Sequence, residues 1–385
     1  MLSTWLLTAG LLLAPVPSFG QSSSNGPTAT RDDYLTKAAQ YTLARRAFEE
    51  QTAAYWKSIG EKRQIRNAKR RSNEPIHLHD YVLTQPPVYA GPPRPVDPSA
   101  PPGEKPADPP KPDIPVVADF LAAAAEQFRF VPHPPDSEIA FKQAYVKVAA
   151  AAGLTRDQIV RVYAFETGGN GTYDVQAGLT HPRPGAKAIS PAIGYNQLLS
   201  TNSVGLLADH GDQFIKVLRR QAGELSGERK QAMEQKIEAL RRMIAFTKTV
   251  PNAWSEHDKL AKNTPGGLGI HAAILDRDIG PLLQTQKLLN SVLFARRRGL
   301  ESPLTAAELE LMNLTGDGNG YDMVTMPAEL RQQVPTANFF QQQGYERNPI
   351  ARRTGVVAAL IASIDAKMDQ ASKLPGAKDL SAAFP

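Results

Sequence analysis

With 385 residues, of which 42% are hydrophobic and 21% charged, the chain has apolar material for one substantial core plus accessory segments, and its composition excludes a largely disordered protein. The formal net charge of +6 is local: residues 31–72 hold eleven Lys or Arg against five Asp or Glu, so the rest of the chain is neutral. The absence of cysteine excludes both disulfide staples and a lipid-bearing cysteine behind a signal peptide.

In chain order, the apolar stretch Trp5 to Ala14, followed by Pro15, Pro17 and Ser18-Phe19-Gly20, reads as a signal peptide over residues 1–20 and implies a periplasmic or secreted protein. Residues 21–83 form a basic helical segment, with a helix expected over Asp33 to Arg71 and cations densest in Lys62-Arg63-Gln64-Ile65-Arg66-Asn67-Ala68-Lys69-Arg70-Arg71. Such a face stays solvated, or holds an anionic surface or a protein partner; export argues against nucleic acid. His77 and His79, on a loop without further ligands, read as surface residues rather than a metal site.

Thirteen of the 32 prolines lie between Pro86 and Pro115, so residues 84–116 are expected to be an extended Pro-rich linker. From residue 117 to 385 the apolar spacing is helical, over Val117 to Phe130, Ser137 to Ala152, Thr155 to Glu166, Asp212 to Phe246 and Leu304 to Leu314. Val356, Leu360, Ile361, Ile364 and Met368 mark a further core helix. No stretch beyond the leader has the length of a membrane span. The segment from about 212 to 251, broken at Gly223 to Gly227, is expected to be a helical insertion, a lid or an interaction arm. No segment alternates for long, so the fold class is mainly α, with at most a small β-hairpin between Gly168 and Leu179.

The chemistry gathers around Glu166, which ends the apolar run Ile159 to Phe165 just before Gly168-Gly169. A carboxyl held against a helix body loses hydration, and its pKa rises toward the range of a general acid. Downstream, Ala192-Ile193-Gly194-Tyr195-Asn196-Gln197 sets a glycine and amides in an apolar stretch, and Leu311-Met312-Asn313 ends a helical pattern. In order and context these segments resemble those of soluble lytic transglycosylases and goose-type lysozymes. That family carries Glu-Ser-Gly at a helix end, then Ala-x-Gly-Leu-Met-Gln, then an aromatic-Asn-Ala-Gly segment. Thr167, Tyr195-Asn196 and Met312 depart from that pattern, which marks a divergent member.

The resemblance implies a lysozyme-like helical domain acting on peptidoglycan strands, with no cofactor. It implies that Glu166 alone is acid and base, cleaving the bond between N-acetylmuramic acid and N-acetylglucosamine to leave a 1,6-anhydro sugar. Gly194, Tyr195, Gln197 and Asn313 would contact the glycan, and Tyr345 would hydrogen-bond Glu166. Two alternatives stay open: a hydrolytic muramidase that uses Glu166 with Asp174 as second carboxylate, and a scaffold that binds peptidoglycan without cutting it. The segment Asn313 to Val324 echoes a calcium loop but has Val324 where the bidentate glutamate would stand, so a glycine-rich turn without a metal is expected there.

Overall fold

The computed structural model describes residues 31–97, 114–176 and 190–384; the leader and part of the expected hairpin lie outside them. The described residues are mainly helical and contain no strand. The helices are α1 (Arg31–Arg71), α2 (Val117–Phe128), α3 (Glu138–Ala151), α4 (Arg156–Thr167), α5 (Ser200–Gly223) and α6 (Gly227–Thr247), then α7 (Trp254–Asn263), α8 (Pro265–His271) and α9 (Gly280–Arg297). The chain continues through α10 (Ala306–Thr315), α11 (Asp317–Thr325), α12 (Ala328–Arg331), α13 (Gln342–Arg347), α14 (Pro349–Thr354), α15 (Val357–Ala371) and α16 (Pro375–Ala382). Where a hairpin was expected there are isolated bridges, Gln176 with Ile193 and Ile193 with Leu198.

Compact units do not divide at residue 83. Described residues 31–51 and 88–97 form one unit, and 52–87 with 114–384 form the other, so α1 contributes to both. In the first, the Tyr89 ring meets Phe48 and Tyr41 at centroid distances of 5.4 and 6.2 Å, and the Arg45 guanidinium stands 5.5 Å from the Tyr89 centroid. The start of the Pro-rich segment thus folds back on the first turns of α1, because Tyr89 finds an apolar and cationic face there.

The second unit has two hydrophobic clusters. One gathers α3, α4, α10, α15 and α16. The other is built by α2, α5, α6 and α8, with Leu207, Phe214, Leu218, Leu240 and Met243 buried. The expected insertion is therefore core: α5 begins at Ser200 rather than near 212, and a Cβ on Gly211 would stand 2.4 Å from Ile244 Cγ1, so α5 and α6 cross too closely for a side chain there.

The basic stripe of α1 is corrected as well. Arg66 is fully buried, donating to the Asp80 carbonyl at 2.9 Å and the Asn338 carbonyl at 3.0 Å, with its guanidinium 4.5 Å from the Tyr81 centroid. Arg63 donates to the Asn338 and Phe340 carbonyls, Lys69 pairs with Asp80 at 2.7 Å and Arg70 pairs with Asp322. These cations cap backbone and buried acids within the domain, and earlier ones pair with acids one turn away, as Arg45 does with Glu49 at 2.9 Å. No helix among the described residues is long and apolar enough to cross a membrane.

Candidate active site

The site is built on α4. Thr155 starts the helix with a capping box: its hydroxyl accepts from the Gln158 amide at 3.2 Å, and the Gln158 side chain accepts from the Thr155 amide at 3.0 Å. Ile159, Val162, Tyr163 and Ala164 are fully buried, so the helix is held on most of its circumference by the first core. It stops at Gly168 and Gly169, with φ of 70° and 81°. A Cβ on Gly169 would lie 2.2 Å from the Ala371 carbonyl oxygen, so glycine is required both for the turn and for the close approach of α15. Glu166 is thereby fixed on the last turn of a rigid helix.

Across from it, α10 presents Glu310 and Asn313, three residues apart and hence on one face. Asn313 Nδ2 donates to Glu166 Oε1 at 2.9 Å, joining residues 147 positions apart. Glu310 is completely buried, its carboxyl acted on by Glu166 and by the Asn313 amide, and neither of its oxygens completes a hydrogen bond. Two cations act on the pair: Lys287 from α9 and Lys367 from α15, whose Nζ lies 4.0 Å from the Phe165 ring centroid. Glu166 keeps some exposed surface, yet its pKa is raised to about 7, mainly by lost hydration; hydrogen bonding and the two lysines pull it back only in part. Burial, reinforced by the charge of Glu166, drives Glu310 well above the ordinary carboxyl value. Burial also lowers the pKa of Lys367, against the attraction of the two acids.

Of the residues expected at the site, the fold brings together Glu166 and Asn313. Gly194 (φ 80°) and Gln197 (φ 44°) form a tight turn in which Gln197 Nε2 donates to the Gly194 and Val175 carbonyls at 2.9 and 3.1 Å. The donors of that side chain hold the loop rather than wait for a sugar, and they offset the roughly 1–2 kcal/mol that a left-handed non-glycine residue costs. A Cβ on Gly194 would stand 2.9 Å from Gln284 and from Ile274, so this glycine makes room for protein and not for glycan. Tyr195 is fully buried, its hydroxyl bonded to Glu138 and its ring edge-on to Tyr163 at 4.9 Å, so it cannot contact substrate. What the turn does is pack against α4 one turn before Glu166.

Tyr345 is buried against Trp56 and Phe340, at centroid distances of 5.6 and 6.1 Å, and is not hydrogen-bonded to Glu166. Asp174 is exposed and accepts from Thr172 at 2.6 Å; the carboxyl beside Glu166 is Glu310. Segment Asn313 to Val324, expected as a glycine-rich turn, instead runs from the end of α10 into helix α11; its Gly320 touches Met312, and its Asp322 is taken by Arg70. Glu310 escaped the sequence reading although its spacing from Asn313 was available and it stands between Leu309 and Leu311, on the apolar side of its helix. Lys287 and Lys367 had no such signal, because each sits in a helix with other charged or polar residues. Comparison with protein families, characterised proteins and solved structures finds no match for the chain.

Proposed function

We propose that the protein is a glycan-cleaving enzyme of the lytic transglycosylase type, acting on peptidoglycan with Glu166 as the single acid and base. The observation that carries this reading is the Glu166–Asn313 contact, because two segments singled out separately meet at 2.9 Å on a carboxyl whose pKa is raised to about 7. Near neutral pH such a group holds a proton for an appreciable fraction of the time and can give it to a glycosidic oxygen. As the carbon–oxygen bond breaks, the electrons pass to the leaving oxygen. The Glu166 carboxylate then removes the proton of the muramyl C6 hydroxyl as that oxygen closes on C1.

Support for one working carboxylate comes from spacing. Two-carboxylate glycosidases flank the bond with groups about 5–5.5 Å apart for retention or about 6.5–9.5 Å apart for inversion. Glu310, the acid that acts on Glu166, is fully buried, so a sugar does not reach it to lie between the two. Periplasmic or secreted location is the compartment in which this substrate is met.

The test is release of soluble material from peptidoglycan sacculi. Glu166→Gln should lower the rate about 10²–10⁴-fold, the usual worth of a general acid. Asn313→Ala should lower it about tenfold, the loss of one hydrogen bond to a charged group. Release by Glu166→Gln at the wild-type rate would refute the reading, and binding of sacculi without release by either protein would favour the scaffold alternative.

A further inference from the structure

Four acids are buried among the described residues, and three have clear partners: Asp80 with Lys69, Asp276 with Lys236 and Asp322 with Arg70. Glu310 differs. It is fully buried, neither oxygen completes a hydrogen bond, and the group that acts on it most is another carboxyl. Two ionised carboxylates in that position would be acceptors facing acceptors and mutually repelling, with the Asn313 amide on Glu166 and no hydrogen bond on Glu310. A single proton between them converts the contact into an O–H···O bond and satisfies both.

The geometry also decides which residue keeps that proton. Glu166 has residual solvent contact and the Asn313 amide on Oε1 at 2.9 Å, both of which favour its charged form. Glu310 has no solvent contact, and the Asn313 amide, which also acts on it, closes its hydrogen bond on Glu166 and leaves both Glu310 oxygens without one. We infer that Glu310 is a neutral carboxylic acid whose hydroxyl donates to the Glu166 carboxylate, making it a positioning residue for the proposed acid and base.

This rests on the reading of Glu166 given above, and it adds a step to it. When Glu166 has given its proton to the glycosidic oxygen, the carboxylate left behind receives two donors, the Glu310 hydroxyl and the Asn313 amide. It then takes the proton of the C6 hydroxyl as the new O6–C1 bond forms, and Glu310 retains its own proton throughout. The other charged groups around α10 leave this intact. Of the helices packed on it, α4 supplies Glu166, α9 supplies Lys287 and α15 supplies Lys367, while the acids of α11 are engaged elsewhere, Asp317 with Ser291 and Asp322 with Arg70. Burial raises both acids.

The experiment is a carbon-13 NMR titration of the full chain labelled at glutamate carboxyls, with Glu166→Gln and Glu310→Gln assigning the two signals. Glu310 should stay protonated between about pH 4 and 7, where ordinary glutamates have titrated, while Glu166 titrates near 7. Glu310→Met, which has no donor, should raise the Glu166 midpoint by about one unit or more, and Glu310→Gln, whose amide N–H can replace the hydroxyl, should bring it most of the way back. Titration of Glu310 below pH 7, or an unmoved Glu166 midpoint in Glu310→Met, would overturn the assignment. These signals are read whether or not glycan is cut, so failure of the glycan reading is seen separately. Where wild type cleaves, Glu310→Met should be about tenfold slower, and Glu310→Gln should recover most of that loss. A Glu310→Gln variant as inactive as Glu166→Gln would mean that Glu310 works ionised, contradicting the inference.

Discussion

Glu166 and Glu310 differ in solvation and in hydrogen bonding, and the roles proposed for them follow from that difference. Because hydration loss raises the Glu166 pKa to about 7, a reaction that needs its proton should decline above that pH. The rate of release from sacculi should therefore fall through an alkaline limb near pH 7; a rate that is flat to pH 9 would contradict the assignment. The same shift has a stability consequence. The folded state binds this proton more tightly than the unfolded chain, so the associated stabilisation is complete below about pH 4.5 and is lost as pH rises through about 7. Urea unfolding should show a shallower fall in stability over that window for Glu166→Gln than for wild type. At this scale the sequence was informative where chemistry and position coincide: a glutamate at the end of an apolar helix and an asparagine at the end of another. It was uninformative where direction matters, since Gly194 and Gln197 turn their surfaces to the protein for reasons set by a left-handed turn.

At the scale of elements, the site depends on how α4 begins and ends. Thr155→Ala removes one half of the capping box and should cost about 1 kcal/mol, measurable as a lower urea midpoint. Gly169→Ala should cost more, at least about 2 kcal/mol, because the added carbon meets the Ala371 carbonyl and the residue must keep a positive φ. It should also slow glycan release, since the clash lies between the end of α4 and α15, the helix that supplies Lys367. Equal stability of the two variants would count against this account. Helix existence was legible for α1 to α4, α10 and α15 from apolar spacing, and the break between α5 and α6 from Gly223 to Gly227. The status of α5 and α6 was not: their Arg, Lys, Glu and Gln residues suggested an arm, whereas one face of each builds the second core.

For the whole molecule, the largest correction concerns the charge of α1. The dense cationic run was expected to stay solvated or to hold an anionic surface or partner, but Arg66 is a buried strut joining α1 to the Asp80 and Asn338 carbonyls, and Arg63, Lys69 and Arg70 face the same domain. Burial of an arginine is not visible in a charge pattern, because it depends in part on the Asn338 carbonyl, 272 positions away. Arg66→Met should lower stability by about 2–3 kcal/mol, the worth of its charged hydrogen bonds; a neutral effect would return α1 to the role of a solvated helix.

The central claim is that one glutamic acid, Glu166, cleaves a glycan without a second catalytic carboxylate. Mass spectrometry of the products released from sacculi by the purified protein tests it most directly, with Glu166→Gln as control. The account predicts products that end in 1,6-anhydro-muramic acid, each lighter by one water than the hydrolysed form, and none with the variant. Reducing ends from the wild-type protein, or anhydro ends that persist in Glu166→Gln, would contradict it.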